Sequence, residues 1–125
     1  MNVVLWIAAG LLALVFAGAG LMKLTKSKAE IMANPAMGWA EDFSPGTIKF
    51  IGAVEVLGAI GLILPAATGI LPILTPLAAT GLAITMALAA AVHGRRAENQ
   101  QVVMNIVLLA LAAFVAIMRF GPQAL

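Results

Sequence analysis

The residue best placed by type and position to do chemistry is Glu55, an acid inside the long apolar run from about Thr47 to Ala67. A charged carboxylate at the centre of a membrane helix costs about 2.5–3.5 kcal/mol on insertion scales, so it turns towards a bundle interior or a cavity. Burial disfavours its charged form, which makes Glu55 a candidate proton-exchanging group. At about 1.5 Å per helical residue it lies roughly 12 Å from the start of its run, at the depth expected of Leu14, Thr85 and Ala110. A packing role stands beside the functional one: a Glu55 that bonds Asn105, Thr85 or a long lysine arm would simply fix neighbouring helices.

His93 is the only histidine, at the end of a third apolar run. It can relay a proton or bind a polar headgroup near neutral pH, or merely sit beside the negative end of a helix dipole. Lys23, Lys49, Arg95 and Arg96 form a basic rim, either a topology signal that touches anionic lipid or a polar mouth over Glu55. Asn105 can bond across helices, and Arg119 is expected to reach headgroups from the far end of its run. One histidine, no cysteine and dispersed acids make no metal-ligand cluster. Gly18-Ala19-Gly20 lacks the strand–turn–helix setting of a phosphate loop. No residue qualifies as catalytic: the serines and threonines have no acid–base partners.

Lipid must surround whatever positions these groups. Of 125 residues, 63% are hydrophobic and 10% charged, with a mean hydropathy of +1.10, whereas a soluble domain has about 25% charged residues. The pattern predicts an all-α, integral membrane four-helix bundle in one domain over 1–125, with spans at about 3–22, 47–67, 71–92 and 102–119. Only Met1 and Asn2 precede the first run and Lys23, Lys26 and Lys28 follow it, so a retained span is expected rather than a signal peptide. The 23–46 connection mixes Met, Trp39 and Phe43 with Glu30, Glu41 and Asp42, which suits an interfacial segment with Trp39 near headgroups. Ser44-Pro45 reads as the N-cap and first position of the next helix.

The basic residues of the 23–46 and 93–101 connections predict that both are cytoplasmic and both termini outside, as in a multi-pass protein of the bacterial inner membrane. A net charge of +2, with its lysines and arginines beside apolar runs, speaks against nucleic acid as a partner. Small residues four apart, Ala9–Ala13–Ala17 and Ala79–Ala83–Ala87–Ala91, together with Gly52, Gly58 and Gly61, mark expected contact faces. The opposite hairpin, about 65–72, looks nearly featureless.

Several stretches together resemble the DoxX-like family of small four-helix bacterial membrane proteins. They are Ala17-Gly-Ala-Gly-Leu-Met-Lys-Leu24, Lys49-Phe-Ile-Gly-Ala-Val-Glu-Val-Leu-Gly-Ala-Ile-Gly-Leu-Ile-Leu-Pro65 and Ala91-Val-His-Gly-Arg-Arg-Ala-Glu98, followed by Asn105-Ile-Val-Leu-Leu-Ala-Leu-Ala-Ala-Phe114 and Arg119-Phe-Gly-Pro122. The resemblance implies family-typical polar positions at Lys23, Glu55, His93, Arg95, Glu98, Asn105 and Arg119, and an association with membrane redox complexes. The first reading is therefore an accessory subunit of a quinone-linked redox system. It would have no catalysis of its own, a quinone or lipid as ligand, and a polar pocket built by Glu55, His93, Lys23, Lys49, Asn105 and Arg95. Two others stay open: a proton-coupled transporter acting as a homodimer, and a structural or assembly protein with Glu55 as interhelical glue.

Overall fold

A computed structural model describes the backbone of residues 1–125 and every side chain except that of Ala36. Four long helices dominate it: α1 (Asn2–Thr25), α3 (Pro45–Thr68), α4 (Leu74–Arg95) and α5 (Asn99–Phe120). Each is long and apolar enough to cross a bilayer. Between α1 and α3 lie a one-turn helix, α2 (Lys28–Met32), and a 3₁₀ segment, Pro35–Asp42, kinked at Met37. No strand occurs among the described residues.

The helices run alternately up and down, with α1 against α3, α3 against α4, α4 against α5, and α5 closing on α1. Every helix is apolar almost all round, so amphipathicity does not choose the inner face. Shape does. The buried residues of α1 (Leu5, Leu12, Phe16), α3 (Ala59, Leu62), α4 (Ala79, Leu82, Met86) and α5 (Ala112, Val115) recur at alternating three- and four-residue steps and form one core. That spacing is the seam of a left-handed bundle. Large residues such as Leu14, Leu57 and Leu88 point outward, where lipid is their solvent.

Glycine sets the closest approach. A Cβ on Gly20 would come within 2.6 Å of the Gly52 carbonyl, and one on Gly52 within 2.8 Å of the Gly20 carbonyl and of Lys23 Cβ. The backbones of α1 and α3 therefore touch here, one turn from Glu55. By contrast Ala87 and Ala91 face outward, so the alanine stripe of α4 marks contact only at Ala79 and Ala83: a four-residue step drifts off a seam that advances by about 3.5 residues.

Helix ends extend past the expected spans. Ser44 caps α3 by accepting from the Thr47 amide, with Pro45 next. α3 continues through Pro65, whose missing N–H leaves the Gly61 carbonyl to accept from the Thr75 hydroxyl instead, and ends at a left-handed Gly69 (φ 71°) whose amide bonds to the Pro65 carbonyl. The third span starts at Leu74, not Leu71. Leu71 takes a positive φ of 47° and Pro72 follows, so the chain turns there instead of coiling.

The connection after α1 folds back over the bundle as a lid. Ser27 and Glu30 form a reciprocal capping box that starts α2; the bond from the Ser27 amide holds the Glu30 carboxyl below its usual range. Ile31, Trp39 and Ala40 then bury themselves against Ile48 and Val92 as a second, smaller core. Trp39 is only 8% exposed. The ring packs inward from the lid because the bundle end offers it the His93 ring and the Lys23 ammonium to lie against.

Candidate functional site

Polar groups converge at the lid end. Lys23, two residues before the end of α1, extends its ammonium to Glu55 on α3, and Nζ stands 2.6 Å from Oε1. Both are buried, at 8% and 2% exposure. The glycine crossing brings the two backbones near enough for this reach, and each charge removes much of the other's cost in a poorly polar interior. The Lys23 ammonium also lies 5.6 Å from the centroid of the Trp39 ring, within cation–π range.

The Trp39 edge leads to a second polar group. Its ring sits 6.3 Å from His93, nearly perpendicular. His93 Nδ1 is 2.9 Å from Glu98 Oε1, within hydrogen-bond distance. A tight turn makes it: Ala97 adopts φ 57° and the Glu98 amide bonds back to the His93 carbonyl at 2.9 Å. Arg96 Nε stands 3.3 Å from the same Glu98 oxygen, an ion-pair contact without hydrogen-bond alignment. Its Nη1 donates to Asp42 Oδ2 at 3.0 Å, tying the α4–α5 turn to the lid. That bond raises the Arg96 pKa above its ordinary value.

The remaining expected site residues divide. Lys49 is exposed and donates to the Leu24 carbonyl at 2.9 Å, so it anchors α1 to α3 and does not join Glu55. Arg95 is exposed, pointing away from the pair. Asn105 is buried on the α4–α5 side, where Nδ2 lies 3.5 Å from Met86 Sδ and Oδ1 has no partner among the described residues. Leu14 and Ala110 are exposed, and the Thr85 hydroxyl donates to Gly81 within its own helix. None of these three is the partner of Glu55. A lysine arm several bonds long reaches down from one turn nearer the membrane surface, which a residue-by-residue depth count misses.

Nor is the opposite end featureless. Arg119 is buried to 6% exposure and curls onto the Gln123 carbonyl at 2.9 Å rather than reaching outward. Thr75, 1% exposed, donates to the Gly61 carbonyl and joins α4 to α3. Trp39, Asp42 and Arg96, noted in the sequence as an interfacial aromatic, a connection acid and part of the basic rim, join here in one lid-end network that their spacing did not reveal. Their only signal is an aromatic and acids packed into a short connection opposite basic residues.

Beside the pair lies a cleft of about 350 Å³ between the end of α1, the start of α3 and the lid, lined by Lys23, Lys26, Lys28 and Lys49 with Ile48 as an apolar wall. Lys23 thus belongs both to the buried pair and to the cleft. No group of three or more His, Asp or Glu among the described residues is placed to hold a metal ion.

The sequence model of the DoxX-like family matches residues 7–115, from the first turns of α1 to the last turns of α5. The chain belongs to the DoxX-like family. In this DoxX-like protein the matched region takes in all four spans, the lid, the Lys23–Glu55 pair and the His93–Glu98 contact. No curated protein and no solved structure matched the chain in the corresponding comparisons.

Proposed function

We propose that this DoxX-like protein is an accessory subunit of a quinone-linked membrane redox system of the bacterial inner membrane, in which the Lys23–Glu55 pair is the polar group that a quinone headgroup meets. The observation that carries the reading is the pair itself: two opposite charges 2.6 Å apart inside a membrane bundle, one of them lining a cleft. Intramembrane ionisable residues mark ligand or proton pathways more often than they serve stability alone. A lysine ammonium can donate to a quinone carbonyl, and Glu55 can take up or release the accompanying proton. Electrons would pass through a partner subunit, since the chain's own polar side chains offer hydrogen bonds and proton exchange.

A homodimeric transporter fits less well, because Glu55 is committed to a lysine of its own chain. The test is native mass spectrometry of mildly extracted protein. Wild type is expected to carry quinone and partner subunits, and the folded fraction of Glu55→Gln, reduced by the uncompensated Lys23 charge, to lose the quinone. Recovery of wild type as a ligand-free monomer without partners would overturn the reading.

A further inference from the structure

The cleft contains more positive charge than the buried pair can use. Lys23 is turned inward and neutralised by Glu55. The other three lysines line the same cleft, and no acidic residue does. Two of their ammoniums are held by backbone carbonyls, not by carboxylates: Lys28 donates to the Glu41 carbonyl at 3.3 Å and Lys49 to the Leu24 carbonyl at 2.9 Å. Such bonds fix an ammonium in place and leave its charge unbalanced. Lys26 interacts only weakly with Glu30, whose carboxylate is already engaged by the Ser27 amide. These three lysines come from three different elements: the α1 exit, the lid and the first turns of α3. Lys26 and Lys28 are two residues apart at the turn into the lid, and the fold brings Lys49 to them from the next long helix.

We propose that this cleft binds a phosphate group, and that an anionic phospholipid presents it. The cleft lies where two spans leave the apolar layer, the depth at which lipid phosphates reside. Its walls are apolar between the ammoniums, with Ala29, Pro45 and Ile48 beside the lysine stems, so the glycerol and upper acyl carbons of a lipid are accommodated along with the charge. A free anion would use the lysines alone. The site shares its cleft, and Lys23 as one wall, with the quinone reading but rests on different side chains: Lys26, Lys28 and Lys49 carry the phosphate, whereas Lys23 and Glu55 carry the quinone contact.

The test uses the full chain in nanodiscs of phosphatidylcholine with and without phosphatidylglycerol, with retained lipid read by native mass spectrometry after release. Phosphatidylglycerol is expected to be retained over phosphatidylcholine. Each Lys→Gln change at 26, 28 or 49 should weaken retention about fivefold, and the triple variant on the order of a hundredfold. Arg95→Gln, on the same end but outside the cleft, should leave it unchanged. Inorganic phosphate added in solution is expected to compete poorly; if it displaced the lipid at comparable concentration, the phosphate site would stand and the lipid would be rejected as its source. Undiminished phosphatidylglycerol retention by a folded triple variant would overturn the proposal. Loss of lipid with quinone retained in the triple variant, and loss of quinone with lipid retained in Glu55→Gln, separate this site from the Lys23–Glu55 reading.

Discussion

Removing Glu55 alone leaves the Lys23 ammonium buried without a counter-charge, and removing Lys23 alone does the same to the carboxylate. Breaking a buried pair from one side costs about 3–5 kcal/mol, whereas replacing both members by apolar residues of similar size is close to neutral. Glu55→Leu and Lys23→Met are therefore each expected to destabilise the bundle strongly, and the double variant to recover most of the loss. Reversible unfolding in mixed detergent measures this. Additive losses would mean the two charges do not depend on each other. At the His93 turn, Ala97 holds a left-handed conformation that costs a non-glycine residue roughly 1–2 kcal/mol. Ala97→Gly should stabilise the protein by about 1 kcal/mol, with the same readout. From sequence, Glu55 and Lys23 were each conspicuous as a charge in or beside an apolar run. A lysine arm is among the partners the sequence allows Glu55, but which lysine was not legible, because the pair joins positions 32 residues apart and depends on how two apolar helices cross.

Among the elements, the α1–α3 crossing and the lid make opposite demands. At Gly20 an added Cβ meets backbone, which cannot yield without moving a helix. Gly20→Ala is expected to cost about 1–3 kcal/mol and to draw Lys23 away from Glu55. Gly18→Ala, where nothing lies within 4 Å, should be neutral or stabilising by about 0.5–1 kcal/mol. Equal effects at the two positions would refute the close crossing. The lid is held more loosely. Its Arg96–Asp42 bond is partly exposed, worth about 0.2–1 kcal/mol, so Arg96→Ala should raise amide exchange across residues 28–43 and leave the spans protected. The existence of four spans was legible from hydropathy, and Ser44-Pro45 announced the start of α3. The inner face of each span was not, because a helix that is apolar all round carries no stripe to read and packing alone decides. The lid was hidden for a related reason: Trp39 and Phe43 read equally well as interfacial anchors until the bundle end that receives them is known.

For the whole molecule, polarity is distributed along the bundle axis. The lid end gathers the ion pair, the His93–Glu98 contact and the lysine cleft, while the far end buries Arg119 and Thr75 against backbone carbonyls. Such an arrangement suits a protein that meets a headgroup or partner from one side. The measurement that tests the central claim most directly uses Trp39 as reporter, since its ring lies 5.6 Å from the Lys23 ammonium. In a Trp6→Phe background in nanodiscs, a short-chain quinone is expected to quench Trp39 saturably. Lys23→Met and Glu55→Gln should each weaken the apparent affinity by about tenfold or more, the cost of losing a hydrogen bond to a charged group. Saturable quenching that is the same in all three proteins, or quenching that never saturates in the parent, would contradict the assignment of Lys23–Glu55 as the quinone-facing site.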